Sequence, residues 1–319
     1  MSSIGEQDSP PAQTKTQSPH GLGKSAHDYT ETWCKDGEID HVELSGGGRV
    51  RYLRVGSGAP LLLLHTVRTQ LDHFQLVIPR ITDAFTVYAL DLPGMGWSDI
   101  VAGASYEEPA LRAAVVRVVE DLDLTDLTLA GESIGATLSL TASVELRDRV
   151  RRIVAFNTYD FADGIKRANL LACIVVGSIR APVVGPIVAG LDNRQVFKAV
   201  MAGGLHDPSQ LPDHYLDELR RVGRRPGYPA VARAIYRNIE SLIAARERYA
   251  RIDVPVTLVY GDEDWTRPSD RQANIESVPG ARDLVLRETG HFAALERPEE
   301  VAQILLEDGP RRQPRAGRM

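Results

Sequence analysis

Between two polar ends, short aliphatic runs alternate with stretches whose apolar positions recur every three to four residues. Runs at 49–55, 60–65, 85–91, 127–132, 152–156, 254–260 and 283–286 read as strands. Several, such as Leu61-Leu62-Leu63-Leu64, are wholly apolar, which suits strands covered on both faces. Residues 41–44, followed by Gly46-Gly47-Gly48, look like the first arm of an antiparallel hairpin. Residues 107–122 predict a helix with Leu111, Val115, Val118 and Leu122 on one face. The pattern predicts an α/β fold with a mostly parallel, eight-stranded sheet flanked by helices.

The alternation breaks from about 160 to 247, a stretch too long for a connecting loop in a compact domain. It contains the uncharged run 170–179 and Pro208, Pro212 and Pro226. Val231, Ile235, Ile239 and Leu242 then follow at helical spacing. We read this stretch as a helical insert, carried as a lid between two strands of one domain. The expected organisation is a flexible polar tail (1–27), a first core part (28–159), the lid (160–247), a second core part (248–308) and a basic tail (309–319). The first twenty residues have no apolar leader-like run, and 170–179 is half the roughly twenty residues that a membrane span needs. A cytoplasmic location without membrane partners is the expectation.

Composition narrows the function classes. With 43% hydrophobic and 25% charged residues, disordered and fibrous readings are poor. A net charge of −6 leaves no electrostatic footprint for nucleic acid. Cys34 and Cys173, far apart and without a Cys-x-x-Cys pattern, support neither a disulfide framework nor a zinc site.

The strongest chemical signal is Leu127-Thr128-Leu129-Ala130-Gly131-Glu132-Ser133-Ile134-Gly135-Ala136. An apolar strand runs into Gly-x-Ser-x-Gly, and an alanine-rich helix follows at once. Small residues two before and two after the serine permit the tight strand-to-helix turn that exposes its Oγ. A serine needs a base, itself oriented by an acid. His291, in Gly290-His291-Phe292 after the last predicted strand, is the candidate base. Asp264, in Gly261-Asp262-Glu263-Asp264, is the favoured acid, with Asp262 and Asp160 as alternatives.

In these residues the chain resembles the α/β-hydrolase superfamily, in its lidded branch of epoxide hydrolases, haloalkane dehalogenases, carbon–carbon hydrolases and esterases. His65 after the Leu61–Leu64 run and Asp91-Leu92-Pro93-Gly94-Met95-Gly96-Trp97-Ser98 belong to the same likeness. The resemblance implies a catalytic triad of Ser133, Asp264 and His291, with the oxyanion held by the N–H groups of Val67 and Ile134. It implies no metal or organic cofactor. Epoxide hydrolases and haloalkane dehalogenases place an aspartate at the elbow, whereas Ser133 makes an acyl-enzyme the natural intermediate. The family's His-Gly pair is replaced here by His65-Thr66-Val67-Arg68.

The expected function is hydrolysis of a small or medium apolar carbonyl substrate: an ester, lactone, thioester or cleavable diketone. Acyl transfer, lyase or cyclase chemistry, and ligand reception with slow turnover are the alternatives. Arg68 and Thr66 are candidate substrate-binding residues, Arg68 for an acidic group unless a neighbour such as Asp72 or Asp91 neutralises it. Trp97 and Trp265, beside catalytic loops, are candidate pocket walls. Leu170, Leu171, Ile174 and Val175 are candidate apolar lining, and His73 is expected to be structural or exposed.

Overall fold

The computed structural model describes residues 29–307; both predicted tails lie outside the described residues. One sheet has the strand order β1-β2-β4-β3-β5-β6-β7-β8. Its members are β1 (Glu38–Glu43), β2 (Arg49–Val55), β3 (Ala59–Leu64), β4 (Phe85–Leu90), β5 (Leu127–Glu132), β6 (Val150–Phe156), β7 (Val256–Gly261) and β8 (Arg282–Leu286). Strand β2 is antiparallel to both neighbours, and all other pairings are parallel. The expected fold class is the observed one.

The helices are α1 (Tyr29–Trp33), α2 (Glu108–Asp121), α3 (Ile134–Leu146), α4 (Leu170–Arg180), α5 (Gly185–Gly190), α6 (Arg194–Ala202), α7 (Asp213–Gly223), α8 (Tyr228–Arg237), α9 (Ile239–Ala244), α10 (Pro268–Ser277), α11 (Ala293–Glu296) and α12 (Pro298–Leu306). Helices α4 to α9 all lie between β6 and β7, in the stretch where strand–helix alternation lapses. Among the described residues no helix is long and apolar enough to cross a membrane.

The wholly apolar run in β3 is explained by its central place. Leu62 and Leu64 enter the core on one side of the sheet, and Leu61 and Leu63 enter the core on the other. Because successive strand side chains point to opposite faces, a strand covered on both sides has no room for polar positions. The edge strand β1 is the converse. It begins at Glu38, three residues earlier than the pattern predicts, and only Val42 is buried. An edge exposed to water imposes little alternation on the sequence.

The loop after β4 shows why its spacing of small residues is required. Asp91 accepts hydrogen bonds from Leu71 N (2.7 Å) and Trp97 N (2.8 Å), and its carboxylate pairs with the buried Arg51 guanidinium at 3.1 Å. Ser98 Oγ donates to the Asp91 carbonyl and accepts from Arg51 N. A Cβ at Gly96 would lie 2.2 Å from Asp91 Cγ, and Gly96 has φ +50°, so a glycine suits that turn on both counts. His65 ties the neighbouring loop to this one. Leu92 N–H donates to its Nε2 (3.0 Å), so the ring proton sits on Nδ1 and is donated to Thr66 O (2.7 Å). Burial lowers the His65 pKa to about 4, which keeps the ring neutral.

Asp91→Ala takes the carboxylate from a buried arginine and the acceptor from two loop amides. Breaking a buried pair by removing one partner costs on the order of 3–5 kcal/mol. Urea unfolding should show a loss of that order for Asp91→Ala and a smaller one for Asp91→Asn, which keeps an acceptor oxygen.

Candidate active site

Ser133 sits between β5 and α3 with φ 61° and ψ −120°, a conformation that costs a non-glycine residue roughly 1–3 kcal/mol. Hydrogen bonds from Ser133 N to Phe156 O (2.9 Å) and from Tyr159 N to Ser133 O (3.3 Å) hold the turn against its neighbouring strand. The two glycines of the motif answer to close approach. A Cβ on Gly135 would come within 2.0 Å of Leu64 O, and one on Gly131 within 2.4 Å of Gly135 C. Only bare backbones let α3 start so near β3.

The structure brings Ser133, His291 and Asp264 together. Ser133 Oγ lies 2.8 Å from His291 Nε2, and His291 Nδ1 lies 2.5 Å from Asp264 Oδ1. With the hydroxyl donating to Nε2, the ring proton sits on Nδ1 and points at the carboxylate. Thr266 donates from both its N–H (3.1 Å) and its hydroxyl to Asp264 Oδ2, so both carboxylate oxygens are satisfied. Burial pushes the Asp264 pKa up, but the attraction and hydrogen bond of His291 and the Thr266 donors outweigh it, and the net shift is downward.

The two alternative acids are occupied elsewhere. Asp262 accepts from Thr289 N at 3.2 Å. Asp160 is buried among Tyr249 Oη (2.6 Å), Asn274 Nδ2 (2.9 Å) and Thr158 Oγ1, and burial raises its pKa.

Trp265 stacks on the His291 ring, with centroids 3.8 Å apart and planes 14° off parallel. Its indole N–H donates to Gly203 O in the turn after α6 (3.0 Å). Trp265 and Phe292 border a cavity of about 470 Å³ that is roofed by the insert. On the roof are Val175, Val176 and Ile179 of α4, Val188 of α5, and Val196, Phe197, Val200 and Met201 of α6; Thr66, Val67 and Arg68 line its floor. Ser133 and His291 are themselves fully buried beneath these residues and do not line the cavity.

Some expected lining residues are placed elsewhere. Leu170, Leu171 and Ile174 face outward, Leu170 being 77% exposed. The buried side of α4 is Ala172, Val176 and Ile179, so the turn of the helix carries those three leucine and isoleucine side chains away from the cavity. Trp97 does not line the cavity either. Its indole donates to Glu218 Oε1 (2.8 Å), and Arg221 and Arg225 lie over its ring, pinning it against α7 and α8. Arg68 is not neutralised by Asp72, whose carboxylate accepts from Thr30, Trp33 and Gln70.

Three polar groups hold the loops around the site, and no sequence pattern marks their roles, although Glu132 occupies a variable position of the Gly-x-Ser-x-Gly motif. Asn157, at φ 46°, accepts from Gly261 N (2.8 Å) and donates to Gly290 O (3.2 Å) and His291 O (3.1 Å), joining the ends of β6 and β7 to the histidine loop. Glu132, beside the nucleophile candidate, is buried against His73 Nε2 and accepts from Ala294 N at 3.3 Å. His73 is thus interior. Glu296 accepts from Gly290 N (2.7 Å) and from Asp207 N of the insert (2.9 Å).

The model of the alpha/beta hydrolase family matches residues 61–304. The chain is 27% identical over 266 residues to the dihydrolipoyllysine-residue acetyltransferase component of the acetoin cleaving system of Cupriavidus necator, covering 81% of this chain and 66% of that relative's length. It is 26% identical over 277 residues to haloalkane dehalogenase 2 of Mycobacterium bovis, covering 82% of this chain and 92% of the relative. A solved structure of haloalkane dehalogenase DatA from Agrobacterium tumefaciens superposes with TM-score 0.75 at 20% identity, covering 86% of this chain and 97% of that one.

The downward shift of Asp264 has a consequence for acid stability. Its ionised form favours the folded chain, a contribution complete above the unfolded pKa of about 4 and lost as pH falls through the lower folded value. Between pH 6 and pH 2.5, Tm should therefore fall more steeply for the parent than for Asp264→Asn. Equal slopes would contradict an ionised Asp264 held by His291 and Thr266.

Proposed function

Because the chain belongs to the alpha/beta hydrolase family, we propose that this enzyme is a serine hydrolase acting through an acyl-enzyme, with Ser133 as nucleophile, His291 as base and Asp264 as its orienting acid. The observation that carries the reading is the unbroken array from Ser133 Oγ through the His291 ring to Asp264 Oδ1, at 2.8 and 2.5 Å. An aspartate at the elbow would itself be the attacking carboxylate; a serine with its hydroxyl on an imidazole suits acyl chemistry.

Ser133 Oγ attacks the substrate carbonyl carbon while His291 Nε2 takes the hydroxyl proton. The carbonyl oxygen gains negative charge, which the N–H groups of Val67 and Ile134 stabilise. Ile134 opens α3, so its N–H has no preceding carbonyl within the helix and the positive end of the helix dipole lies there. The His291 proton then passes to the leaving group as its bond to the acyl carbon breaks. Water enters, gives a proton to His291 and releases the acid, and Ser133 recovers its own. Asp264 stays ionised throughout and stabilises the transient imidazolium. Trp265, stacked on the ring, restricts its tilt.

The insert acts as the lid in this reading. Its apolar helices roof the cavity, and the carbonyls of Gly203 and Gly204 accept from Trp265 Nε1 and from His291 N (2.7 Å). The cavity suits a small or medium carbonyl compound with an apolar body, such as an ester, lactone, thioester or cleavable diketone. The complete burial of Ser133 and His291 favours a second reading, acyl transfer to an acceptor other than water. Adding a primary alcohol separates the two: transfer yields the new ester as the main product, and hydrolysis yields the free acid.

A fluorophosphonate probe should label the parent at Ser133, and Ser133→Ala should abolish labelling with an unchanged circular dichroism spectrum. Asp264→Asn should lower kcat on a turned-over ester by about 10⁴-fold, because the imidazole loses its orienting acceptor. Labelling at any other residue in Ser133→Ala would refute the mechanism.

A further inference from the structure

We infer that the polar end of the cavity is an anion site, and that the enzyme's substrates are carbonyl compounds carrying a carboxylate at the end of an apolar chain, anchored by Arg68. This deepens the serine-hydrolase reading and rests on it for the reacting group. Charge is the first observation. Among the described residues lining the cavity are three arginines, Arg68, Arg220 and Arg224, and one carboxylate, Asp192. Asp192 is held by the other two arginines, with Arg220 Nε at 2.9 Å. Arg68 makes no ion pair among the described residues.

Unmet hydrogen bonding is the second observation. The Arg68 Nε and the Thr66 hydroxyl, two residues apart on the floor, are both buried with no partner. Aromatic rings border the guanidinium. Its Cζ lies 5.1 Å above the Phe197 ring, and the buried phenols of Tyr228 and Tyr236 lie within its field, that of Tyr236 within hydrogen-bonding reach. Rings of this kind favour a cation, but they supply no counter-charge to its planar fork of donors. Arg68 is half-buried with its Nε shielded from water, and a ligand carboxylate would supply the missing counter-charge through charge-assisted hydrogen bonds.

Backbone geometry is the third. Arg68 has φ 59°, a left-handed conformation that glycine or asparagine adopts more readily. The position thus keeps a long cation at a conformational cost. It also directly follows Val67, the proposed oxyanion donor, so an anchored carboxylate and the reacting carbonyl share one loop. The apolar roof from Val175 to Met201 accommodates the chain between them.

The test compares 4-nitrophenyl hexanoate with the mono-4-nitrophenyl ester of adipic acid, which differ at the far end by a methyl against a carboxylate. The ratio of kcat/KM, adipate over hexanoate, should fall at least tenfold in Arg68→Ala and in Arg68→Asn, and Arg68→Lys should retain part of it. Arg68→Asn suits the left-handed backbone, which guards against a folding artefact in Arg68→Ala. A fall of less than tenfold in the folded variants overturns the inference. A second arm needs no turnover. In a Ser133→Ala background, calorimetry should find hexanoate bound at least tenfold tighter than hexanamide, and Arg68→Asn should erase the difference. If the fluorophosphonate probe fails to label Ser133 but this difference holds, the anion site stands and the hydrolase reading fails. If esters are cleaved and the difference is absent, the anion site fails alone.

Discussion

The structure depends on how closely helix α3 approaches the middle of the sheet. Gly135 lies against the Leu64 carbonyl with no space for a Cβ, and a Cβ on Gly131 would come within 2.4 Å of Gly135. That contact forces the chain at Ser133 into its left-handed turn, which is held by the main-chain bonds to Phe156 and Tyr159. It also aims the start of α3 at the same point as the serine hydroxyl. One packing constraint therefore sets both the direction of Oγ and the position of the first amides of α3 beside it.

Everything else must be carried to that point over long sequence distances, and buried polar side chains carry it. Asn157 joins two strand ends to the histidine loop, and Glu132 reaches both His73 and the Ala294 amide. Glu296 couples the same loop to the insert. Such groups are tolerable inside a protein only when their donors and acceptors are met, so each fixes the relative placement of the segments it bridges. The insert belongs to this framework. Its Gly203–Gly204 turn accepts from Trp265 and His291, while Arg225 donates to Gly96 O and, at 2.7 Å, to Ser98 O. The segment that roofs the cavity is thus bonded to two loops of the core, at Gly203–Gly204 and at Arg225.

The character of the cavity follows from this arrangement. Apolar faces of α4 and α6 meet a floor made by the 66–68 loop, and two unpartnered polar atoms lie at that floor. The aromatic neighbours of Arg68 come from the insert, the loop itself from the core. Neither part alone would define a polar end in an otherwise apolar space.

Local physics makes part of this legible in the sequence alone. Apolar runs of two-sided strands, the glycines flanking Ser133, and the loops bearing Asp264 and His291 are set by neighbours a few residues away, so their patterns show in order along the chain. The edge strand β1 is legible only in part, because water on its outer side removes the alternation. Side-chain pairs are not legible at all. Glu132 meets His73 59 residues away, and Asn157 reaches His291 across 134, a proximity created only by the strand order. The same holds for surfaces. Which face of 170–179 points inward, why Trp97 turns to Glu218 instead of the cavity, and why Arg68 meets Phe197 and no carboxylate are decided by packing between the insert and the core. A sequence determines which groups a chain owns and their local geometry; only the tertiary fold decides which distant groups must satisfy one another once water is excluded.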